Sequence, residues 1–271
     1  MTTPSNPLDE AQLAAACHAN FVEFAREKAR WSGNRGELAE RGGAVLFSSG
    51  SDFPVESNGA IRLDPSADPD DVIDLADAWF SDRGKGWSLA TSSAIPGDDA
   101  LAARAEDRGL LRILDSPAMV CDGPLEPAVA PDGTTLRVID DAAGVAELVA
   151  ICDAAYQSLG MPAGVIADMV TAPDRVLVPH VKTVVAADGT TPVACAQLLL
   201  GNGVAGVYYV GTVAAARGRG LAELVTRYVT NLGFELGAPV VTLQASSMGE
   251  PIYRRMGYRE ISRYTTHTRF V

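Results

Sequence analysis

The stretch Val210-Gly-Thr-Val-Ala-Ala-Ala-Arg217-Gly-Arg-Gly220-Leu-Ala222 governs how the rest of this chain is interpreted. A β-rich run leads into two glycines, and apolar residues at helical spacing begin at Leu221. A helix that starts there presents free backbone N–H groups and the positive end of its dipole. The sequence therefore predicts an anion-binding turn that has room for a diphosphate.

The residues of this turn support that prediction. Arg217 and Arg219 can donate charge-assisted hydrogen bonds, while Gly218, Gly220 and Ala222 leave the approach clear. The turn is not a Walker loop, because Gly-Lys-Ser or Gly-Lys-Thr does not follow, and it is not a Gly-x-Gly-x-x-Gly dinucleotide fingerprint. Considered alone, Arg-Gly-Arg-Gly could also be a purely structural turn.

Hydrophobic spacing predicts a mixed α/β unit in the C-terminal half. The predicted order is strand 136–139, helices 140–157 and 163–171, strands 182–187, 193–200 and 206–213, helix 221–236, strand 240–245, helix 249–256 and strand 259–269. The helix at 221–236 has one apolar stripe, predicted from Leu221, Leu224, Val225, Tyr228, Leu232 and Leu236.

The N-terminal half echoes the last part of this order without detectable sequence identity. We predict helices at 11–30, 70–81 and 98–108 and strands at 44–48, 60–63, 87–91 and 117–121. Leu125–Thr135 is rich in Pro and turn-forming residues, which is typical of a linker. We therefore expect two domains, residues 1–125 and 133–271, as a length of 271 residues also favours.

The charge distribution favours an anionic ligand in the C-terminal half. The net charge of −12 argues against general nucleic-acid binding. Residues 1–125 contain 21 acids and 11 bases, whereas Ala205–Val271 contains eight Arg and only four Glu. The predicted anion site therefore lies in a locally cationic segment of an acidic protein.

The four cysteines have no spacing typical of a metal site or a disulfide framework, so we expect no metal and buried, reduced thiols. Asp9 and Glu10 precede the first basic residue, Arg26, which is not the pattern of a signal peptide. These features predict a cytoplasmic protein. The sequence carries no indication of the oligomeric state.

The uncharged run Pro192–Ala216 is long enough to suggest a membrane span. Gly201-Asn-Gly203 divides it into two β-rich segments, which is typical of a hairpin inside a sheet. We therefore expect a hairpin and no association with a membrane.

The turn resembles the pyrophosphate loop of the GNAT superfamily of acyl-CoA-dependent N-acetyltransferases, which reads Gln/Arg-x-x-Gly-x-Gly/Ala. Arg217, Gly220 and Ala222 occupy its three defined positions. The family's second signature is a strand, a short helix and Tyr-x-x-x-Gly-Phe, to which Val241–Ser246 and Tyr253-Arg-Arg-Met-Gly-Tyr are similar. Both motifs occur in the family's order, and the element order of the C-terminal half is also similar.

The resemblance implies acetyl-CoA or a close acyl-CoA as cosubstrate. The implied cofactor-binding residues are Val210, Gly211, Thr212, Arg217, Gly218, Arg219, Gly220, Leu221, Ala222 and Ser246. The strand at Val210 would pair with the pantetheine arm, and the Val210 amide would polarise the thioester carbonyl. Tyr253 would be the catalytic residue that donates a proton to the departing CoA thiolate, with a packing aromatic as the alternative.

The resemblance also implies that the N-terminal half is a degenerate GNAT-like domain that has lost its cofactor loop, in a tandem arrangement. Its Arg83-Gly-Lys-Gly86 imitates the turn but follows a predicted helix and precedes a strand. A phosphate-binding turn needs the reverse order, so this segment predicts a helix stop.

The chain departs from the family pattern in two ways. Ser246 stands where many relatives have an Asn that faces the cofactor. No Glu or His lies on the strand at 206–213, where relatives often keep the general base, and Tyr208 is a poor base at its usual pKa near 10. A water relay, or an amine that arrives neutral, would replace the base. His180 and His267 are expected to have structural or solvated roles.

Two functions from different classes remain open. The leading hypothesis is an N-acetyltransferase that transfers the acetyl group to an amine by direct attack in a ternary complex, because no Cys lies beside the turn. The alternative is a non-catalytic acyl-CoA-binding or sensing module, which the missing base favours. Gln157–Pro162, with the apolar Tyr156, Leu159 and Met161, would shape an acceptor pocket for a small-molecule amine.

Overall fold

An eleven-stranded mixed sheet runs through residues 9–271, the part of the chain that the computed structural model describes. Its strands are β1 Glu37–Arg41, β2 Ala44–Ser48, β3 Asn58–Arg62, β4 Trp87–Ser92, β5 Leu111–Cys121, β6 Thr134–Val138, β7 Val181–Asp188, β8 Thr191–Gly201, β9 Val204–Thr212, β10 Val241–Gln244 and β11 Arg259–Arg269. The helices are α1 Glu10–Trp31, α2 Pro54–Ser57, α3 Pro69–Ser81, α4 Asp98–Asp107, α5 Ala142–Tyr156, α6 Val165–Met169, α7 Pro173–Val176, α8 Leu221–Glu235 and α9 Glu250–Met256.

The sheet order is β1-β2-β3-β4-β11-β5-β10-β9-β8-β7-β6. The last strand, β11, therefore lies between β4 and β5 of the N-terminal half, and β5 also pairs with β10. Residues 122–133 form no helix or strand, and the Asn231 side chain exchanges hydrogen bonds with the Leu125 backbone. Both halves thus share one sheet, while the division into domains 1–125 and 133–271 stays a prediction.

Helix α1 starts at a capping box, in which Asp9 and Gln12 each accept a hydrogen bond from the other's backbone N–H. Although it is N-terminal in sequence, it packs on both halves of the sheet. The buried Asn20 amide donates to the carbonyl of Leu199 at 3.1 Å and accepts from the hydroxyl of Tyr208 at 2.8 Å. The first helix therefore completes the core around β9.

The uncharged run at 192–216 forms the predicted hairpin. Strands β8 and β9 pair up to Gly201 opposite Val204, and both turn residues have positive φ, 57° at Asn202 and 78° at Gly203. Positive φ at both central residues is typical of a type I′ turn, for which Asn-Gly is a preferred sequence. Among residues 9–271, no helix combines the length and the apolar character that crossing a membrane requires.

Helix α8 buries part of the predicted stripe. Leu221, Leu224 and Val225 are buried, whereas Tyr228 and Leu236 are exposed, and the prediction was wrong for these two. The face against the sheet also includes Thr226, Thr230 and Gly233, which hydrophobic periodicity does not detect. A Cβ at Gly233 would lie 3.0 Å from a methyl of Val241, so the absence of a side chain lets the helix approach the sheet closely.

Several other elements differ from the sequence-based expectation, including β5, which already begins at Leu111. Strand β1 was missed because its charged, exposed residues form an edge of the sheet, where a strand needs no apolar face. The predicted helix at 163–171 is shorter, and Pro173 begins a separate turn, α7. The segment at Arg83, in contrast, agrees with the predicted helix stop. Arg83 follows the end of α3, and its Cζ lies 3.8 Å from the ring centre of Trp79.

Candidate functional site

The candidate site begins where two parallel strands separate. β9 and β10 pair only where Ala205–Val207 faces Val241–Leu243. Beyond that point β9 continues to Thr212 while pairing with β8, and β10 ends at Gln244. A cleft of about 390 Å³ opens between the diverging strands. Its wall on the β9 side is lined by Val210, Gly211 and Thr212. Backbone donors and acceptors of β9 thereby face a space rather than a strand.

A bulge in β9 orients the backbone beside this cleft. The register with β8 shifts between Cys195 and Gln197, and Tyr209 has a φ of 48°. The thiols of Cys195 and Cys152 lie 3.4 and 3.8 Å from the Tyr209 carbonyl oxygen. In a trans peptide the following N–H points opposite to that carbonyl, so the Val210 N–H is directed away from the thiols.

Burial explains why the Cys152 thiol can serve as a donor. It raises the pKa of Cys152 well above its ordinary value, and the neighbouring Cys195 thiol adds to the rise. The two sulfur atoms are 3.5 Å apart, and both cysteines are fully buried. They support the bulge from behind and do not line the cleft.

The N-terminus of α8 closes one end of the cleft. Gly218 and Gly220 have φ values of 78° and 76°, which non-glycine residues rarely adopt. A Cβ built on either would have no protein atom within 4 Å, so the space in front of them is open. The first intrahelical hydrogen bond is donated by Leu224, which leaves earlier N–H groups of α8 without a helical acceptor. The turn can therefore offer free N–H groups and open space to an anion.

The two arginines of the turn have different positions. Arg217 lines the cleft and donates to the carbonyl oxygens of Thr212 and Ala155 and to the hydroxyl of Ser158. It thereby ties the end of α5 to the end of β9. Arg219, in contrast, pairs with Asp188 and is not part of the cleft lining. The structure therefore does not bring Arg219 together with the other predicted ligand-binding residues.

Tyr253 projects from α9 and lines the opposite side of the cleft, with 8% of its surface exposed. Burial raises the pKa of Tyr253 to about 12, although a hydrogen bond with Thr226 opposes the rise. The phenol therefore carries its proton at neutral pH. Ser246 lies on the same side, and its hydroxyl accepts a hydrogen bond from the Gly249 N–H at 3.2 Å.

The cleft brings together ten of the eleven residues that the sequence singled out, and only Arg219 lies apart. They are Val210, Gly211, Thr212, Arg217, Gly218, Gly220, Leu221, Ala222, Ser246 and Tyr253. Tyr156 and Leu159, which were expected at the acceptor pocket, line the same cleft. The functional roles of these residues stay predictions.

Arg255 is a cleft residue that the sequence analysis missed. It has no ion pair within residues 9–271, whereas its neighbour Arg254 pairs with both Glu250 and Glu260 at 2.8 Å. Its position two residues after Tyr253, on the same short helix, was the feature of the sequence that could have indicated a place in the cleft. Arg255 offers the cleft a guanidinium that no described carboxylate neutralises.

The residues considered as bases lie elsewhere. Tyr208 is buried, which raises its pKa well above the ordinary value, and its hydroxyl is bound to Asn20. His180 pairs with Glu27 and His267 with Glu106, each at 3.0 Å, and neither histidine lines the cleft. Within residues 9–271 no cluster of three or more His, Cys, Asp or Glu side chains is arranged to hold a metal ion.

Comparison with known proteins identifies the fold. No protein-family model and no curated protein matches the sequence. Among solved structures, the chain is similar to a GCN5-related N-acetyltransferase from Kribbella flavida, with 21% identity and a TM-score of 0.68 over 93% of this chain and 95% of that one. It is also similar to one from Sphaerobacter thermophilus, with 19% identity and a TM-score of 0.60 over 96% and 91% of the two chains.

A third similar structure is a tandem GNAT protein from the clavulanic acid biosynthesis pathway, with 14% identity and a TM-score of 0.58. The match covers 89% of this chain and 85% of that one, so it extends over both halves. At these identities the likeness establishes the fold, and it confirms the predicted α/β class with a mixed sheet in the GNAT arrangement.

Proposed function

Because the chain has the fold of the GCN5-related N-acetyltransferases, we propose that it is an acyl-CoA-dependent N-acyltransferase that uses acetyl-CoA and acetylates a small-molecule amine. One observation carries the proposal: the diverging strands β9 and β10 open directly onto the free N-terminus of α8, which begins after Gly220. A backbone edge and an anion site thus line one cleft. In acetyl-CoA the pantetheine arm is joined to a diphosphate, so this ligand could use both.

The residues of this cleft would hold the cosubstrate in the following way. The free N–H groups after Gly220 would bind the diphosphate, and Arg255 would add a positive charge beside it. The Val210 N–H would donate to the acyl carbonyl oxygen and stabilise negative charge that develops there. When bound, acetyl-CoA would supply the activated acyl thioester.

Tyr253 would hold the proton that the leaving sulfur needs. Its raised pKa keeps the phenol protonated, so the hydroxyl can donate rather than accept a proton. We propose direct attack by a neutral amine, which forms the N–C bond, breaks the C–S bond and loses one proton from its nitrogen to solvent, while Tyr253 protonates the leaving sulfur. No acyl-cysteine step is included, since Cys152 and Cys195 are buried behind the bulge and no described cysteine lines the cleft. An enzyme-bound acyl group on sulfur therefore has no candidate residue in this site.

A non-catalytic acyl-CoA-binding module is the second candidate. The buried Tyr208, already bound to Asn20, supports it, because β9 then offers no group that could accept a proton from the amine.

A location in the cytoplasm belongs to the main proposal and is supported by four free, buried cysteines. A degenerate N-terminal GNAT-like domain also belongs to it.

Release of the CoA thiol from acetyl-CoA, measured with a thiol reagent in the presence of a panel of small amines, tests the proposal. We expect release that depends on both the amine and the protein and yields the acetylated amine by mass spectrometry. Tight binding of CoA without release for any amine would favour the non-catalytic module. Absence of CoA binding would contradict both candidates.

A further inference from the structure

Two non-glycine residues with positive φ, Tyr209 and Glu56, belong to or adjoin one group of buried aromatic side chains. Among residues 9–271, the non-glycine residues with positive φ are Asn202, Tyr209 at 48° and Glu56 at 69°. Asn202 is explained by its hairpin turn, because Asn tolerates this conformation. Tyr and Glu do not adopt it readily, and strain of this kind persists where the surrounding structure enforces it, often at functional sites.

The aromatic cluster, defined as Phe24, Trp31, Phe53, Tyr156 and Tyr209, adjoins the candidate site. Tyr156 lines the cleft, and its ring centre lies 6.2 Å from that of Tyr209. Tyr209 in turn lies 5.4 Å from Phe24 and 6.0 Å from Trp31. Since Tyr209 directly precedes Val210, the cluster is next to the backbone that would hold the acyl carbonyl.

Polar atoms inside this cluster have no partner. The indole N–H of Trp31 and the hydroxyl of Tyr209 are buried, and neither forms a hydrogen bond within the described part of the chain. The two residues are only 1% and 5% exposed. Buried donors without an acceptor are costly and rare, so they indicate a place where a ligand can supply the acceptor. Burial raises the pKa of Tyr209 well above its ordinary value and the charge of Glu56 adds to the rise, so this hydroxyl keeps its proton.

Glu56 supplies a carboxylate at the same place. Its Oε2 accepts from the Lys28 ammonium at 3.1 Å, while its Oε1 has no partner in residues 9–271. Lys28 is nearly buried and lies over the rings of Phe24 and Phe47, at 5.0 and 4.9 Å from their centres. The Glu56 side chain is 37% exposed, so a ligand from solvent can reach its free oxygen.

The segment that carries Glu56 is fixed to the C-terminal half. The Ser32 hydroxyl donates to the Met169 carbonyl at 2.6 Å and accepts from the Gly50 N–H at 3.2 Å. A Cβ at Gly50 would lie 2.2 Å from the carbonyl oxygen of Asp168, so the two backbones are in close contact. The loop that leads to Glu56 is therefore fixed against the end of α6.

We propose that Glu56 and the aromatic cluster form the acceptor site, which binds an amine in its protonated form on an aromatic or apolar body. The bound ammonium passes one proton to solvent at the exposed carboxylate before its nitrogen attacks. This inference rests on the proposed acyltransferase function. The free oxygen of Glu56 binds the ammonium, the aromatic faces cover the apolar body, and Trp31 and Tyr209 donate to an oxygen of the ligand. The N-terminal half, which has no cofactor loop, thus contributes acceptor specificity to the cleft of the other half.

Calorimetry with the full chain saturated with CoA tests this site. The probe is tyramine, and tyrosol, which carries a hydroxyl in place of the ammonium, is its neutral match. We expect tyramine to bind at least about tenfold more tightly than tyrosol, and Glu56→Gln to remove this difference, because a partly buried charged hydrogen bond is lost. Glu40→Gln is the matched control, since Glu40 also pairs with a cation of α1, Arg26, but lies outside the cluster.

A second variant keeps the test decisive if Glu56→Gln folds poorly. Tyr209→Phe retains the ring and removes a hydroxyl that has no partner in the free protein. We expect a higher Tm without ligand together with weaker tyramine binding, a pair of changes that a purely structural hydroxyl would not produce. Equal tyramine affinity in wild type, Glu56→Gln and Tyr209→Phe, or no tyramine binding by a protein that binds CoA, would overturn the acceptor site. Failure of CoA binding in the wild type would instead overturn the proposed function.

Discussion

Arg62 and Asp98 form a buried ion pair in the N-terminal half, with Nη2 and Oδ1 2.7 Å apart and both side chains 3% exposed. The same guanidinium donates to the carbonyl oxygens of Pro65, Ala67 and Pro96. Arg62 ends β3, just before the loop that leads into α3. In element order, this loop corresponds to the turn between β9 and α8 in the C-terminal half. Where the C-terminal half has open space, the N-terminal half has a filled polar network.

We predict one CoA site per chain from this difference. The N-terminus of α3 is already capped, because the Asp68 carboxylate accepts from the Asp70 N–H at 2.8 Å, and the acids there would repel a diphosphate. Isothermal titration should give a stoichiometry of one CoA per chain. Two equivalent sites would show that the N-terminal half retains a cofactor site.

Gly220→Glu should abolish CoA binding while the protein remains folded. A side chain at this position meets no protein atom, but it would occupy the space of the diphosphate and carry a like charge. The φ of 76° should cost about 1 kcal/mol of stability for any non-glycine residue. Gly220→Ala shares this strain without the charge and is the matched control, with CoA affinity by calorimetry and Tm as the measurements. A Glu variant that binds CoA as tightly as the Ala variant would show that the turn is not the diphosphate site.

Tyr253→Phe should lower kcat and leave CoA affinity nearly unchanged, because the hydroxyl is needed only as the sulfur leaves. General-acid catalysis contributes roughly 10²–10⁴-fold. Since burial raises the pKa of Tyr253 to about 12, the phenol stays protonated through neutral and moderately alkaline pH. Deprotonation of Tyr253 should therefore not lower the kcat of the wild type in this pH range. Steady-state rates across this range check both points. A kcat within about threefold of wild type would identify Tyr253 as a packing residue.

Arg255→Ala should weaken CoA binding and make it less sensitive to salt, because the variant loses a cation that lines the cleft. We expect a loss of roughly tenfold, the scale of one charge-assisted hydrogen bond. Arg254→Ala is the adjacent control, since Arg254 is engaged by Glu250 and Glu260. Equal effects of the two variants would indicate general electrostatics rather than a contact from Arg255.

The protein should lose stability in mild acid through His18. Burial lowers the pKa of His18 from 6.5 to about 4, and its Nδ1 lies 3.0 Å from the Tyr264 hydroxyl. Because the folded pKa lies below the unfolded one, the unfolded state binds the proton first. The stability that neutral His18 contributes is complete above about pH 6.5, decreases as the pH falls and is lost below about pH 4, in total on the order of 3 kcal/mol.

Chemical denaturation at pH 7.5 and pH 5 measures this dependence. His18→Gln should reduce the difference in unfolding free energy between the two pH values. An unchanged difference would assign the acid sensitivity to other groups.

Local sequence was sufficient to predict the glycine turn of the candidate site. The glycines at 218 and 220, the strand before them and the helix after them are local features, and local backbone geometry directs N–H groups toward one point. The same holds for the Asn-Gly hairpin at 202–203, whose positive φ values the residues themselves favour. Periodicity was less reliable for α8, because Thr226 and Gly233 face the sheet for reasons of hydrogen bonding and close approach.

Contacts between distant parts of the chain were decided by tertiary structure alone. The sequence shows two arginines in the turn, but only packing determines that Arg217 joins α5 to β9 while Arg219 pairs with Asp188. Likewise, no local pattern indicates that Glu56 lies near the aromatic cluster or that β11 pairs between β4 and β5. Such pairings depend on which surfaces meet when the sheet assembles, and the side chain alone does not encode its partner. The sequence by itself thus determined the open glycine turn before α8, and the tertiary structure decided which side chains surround it.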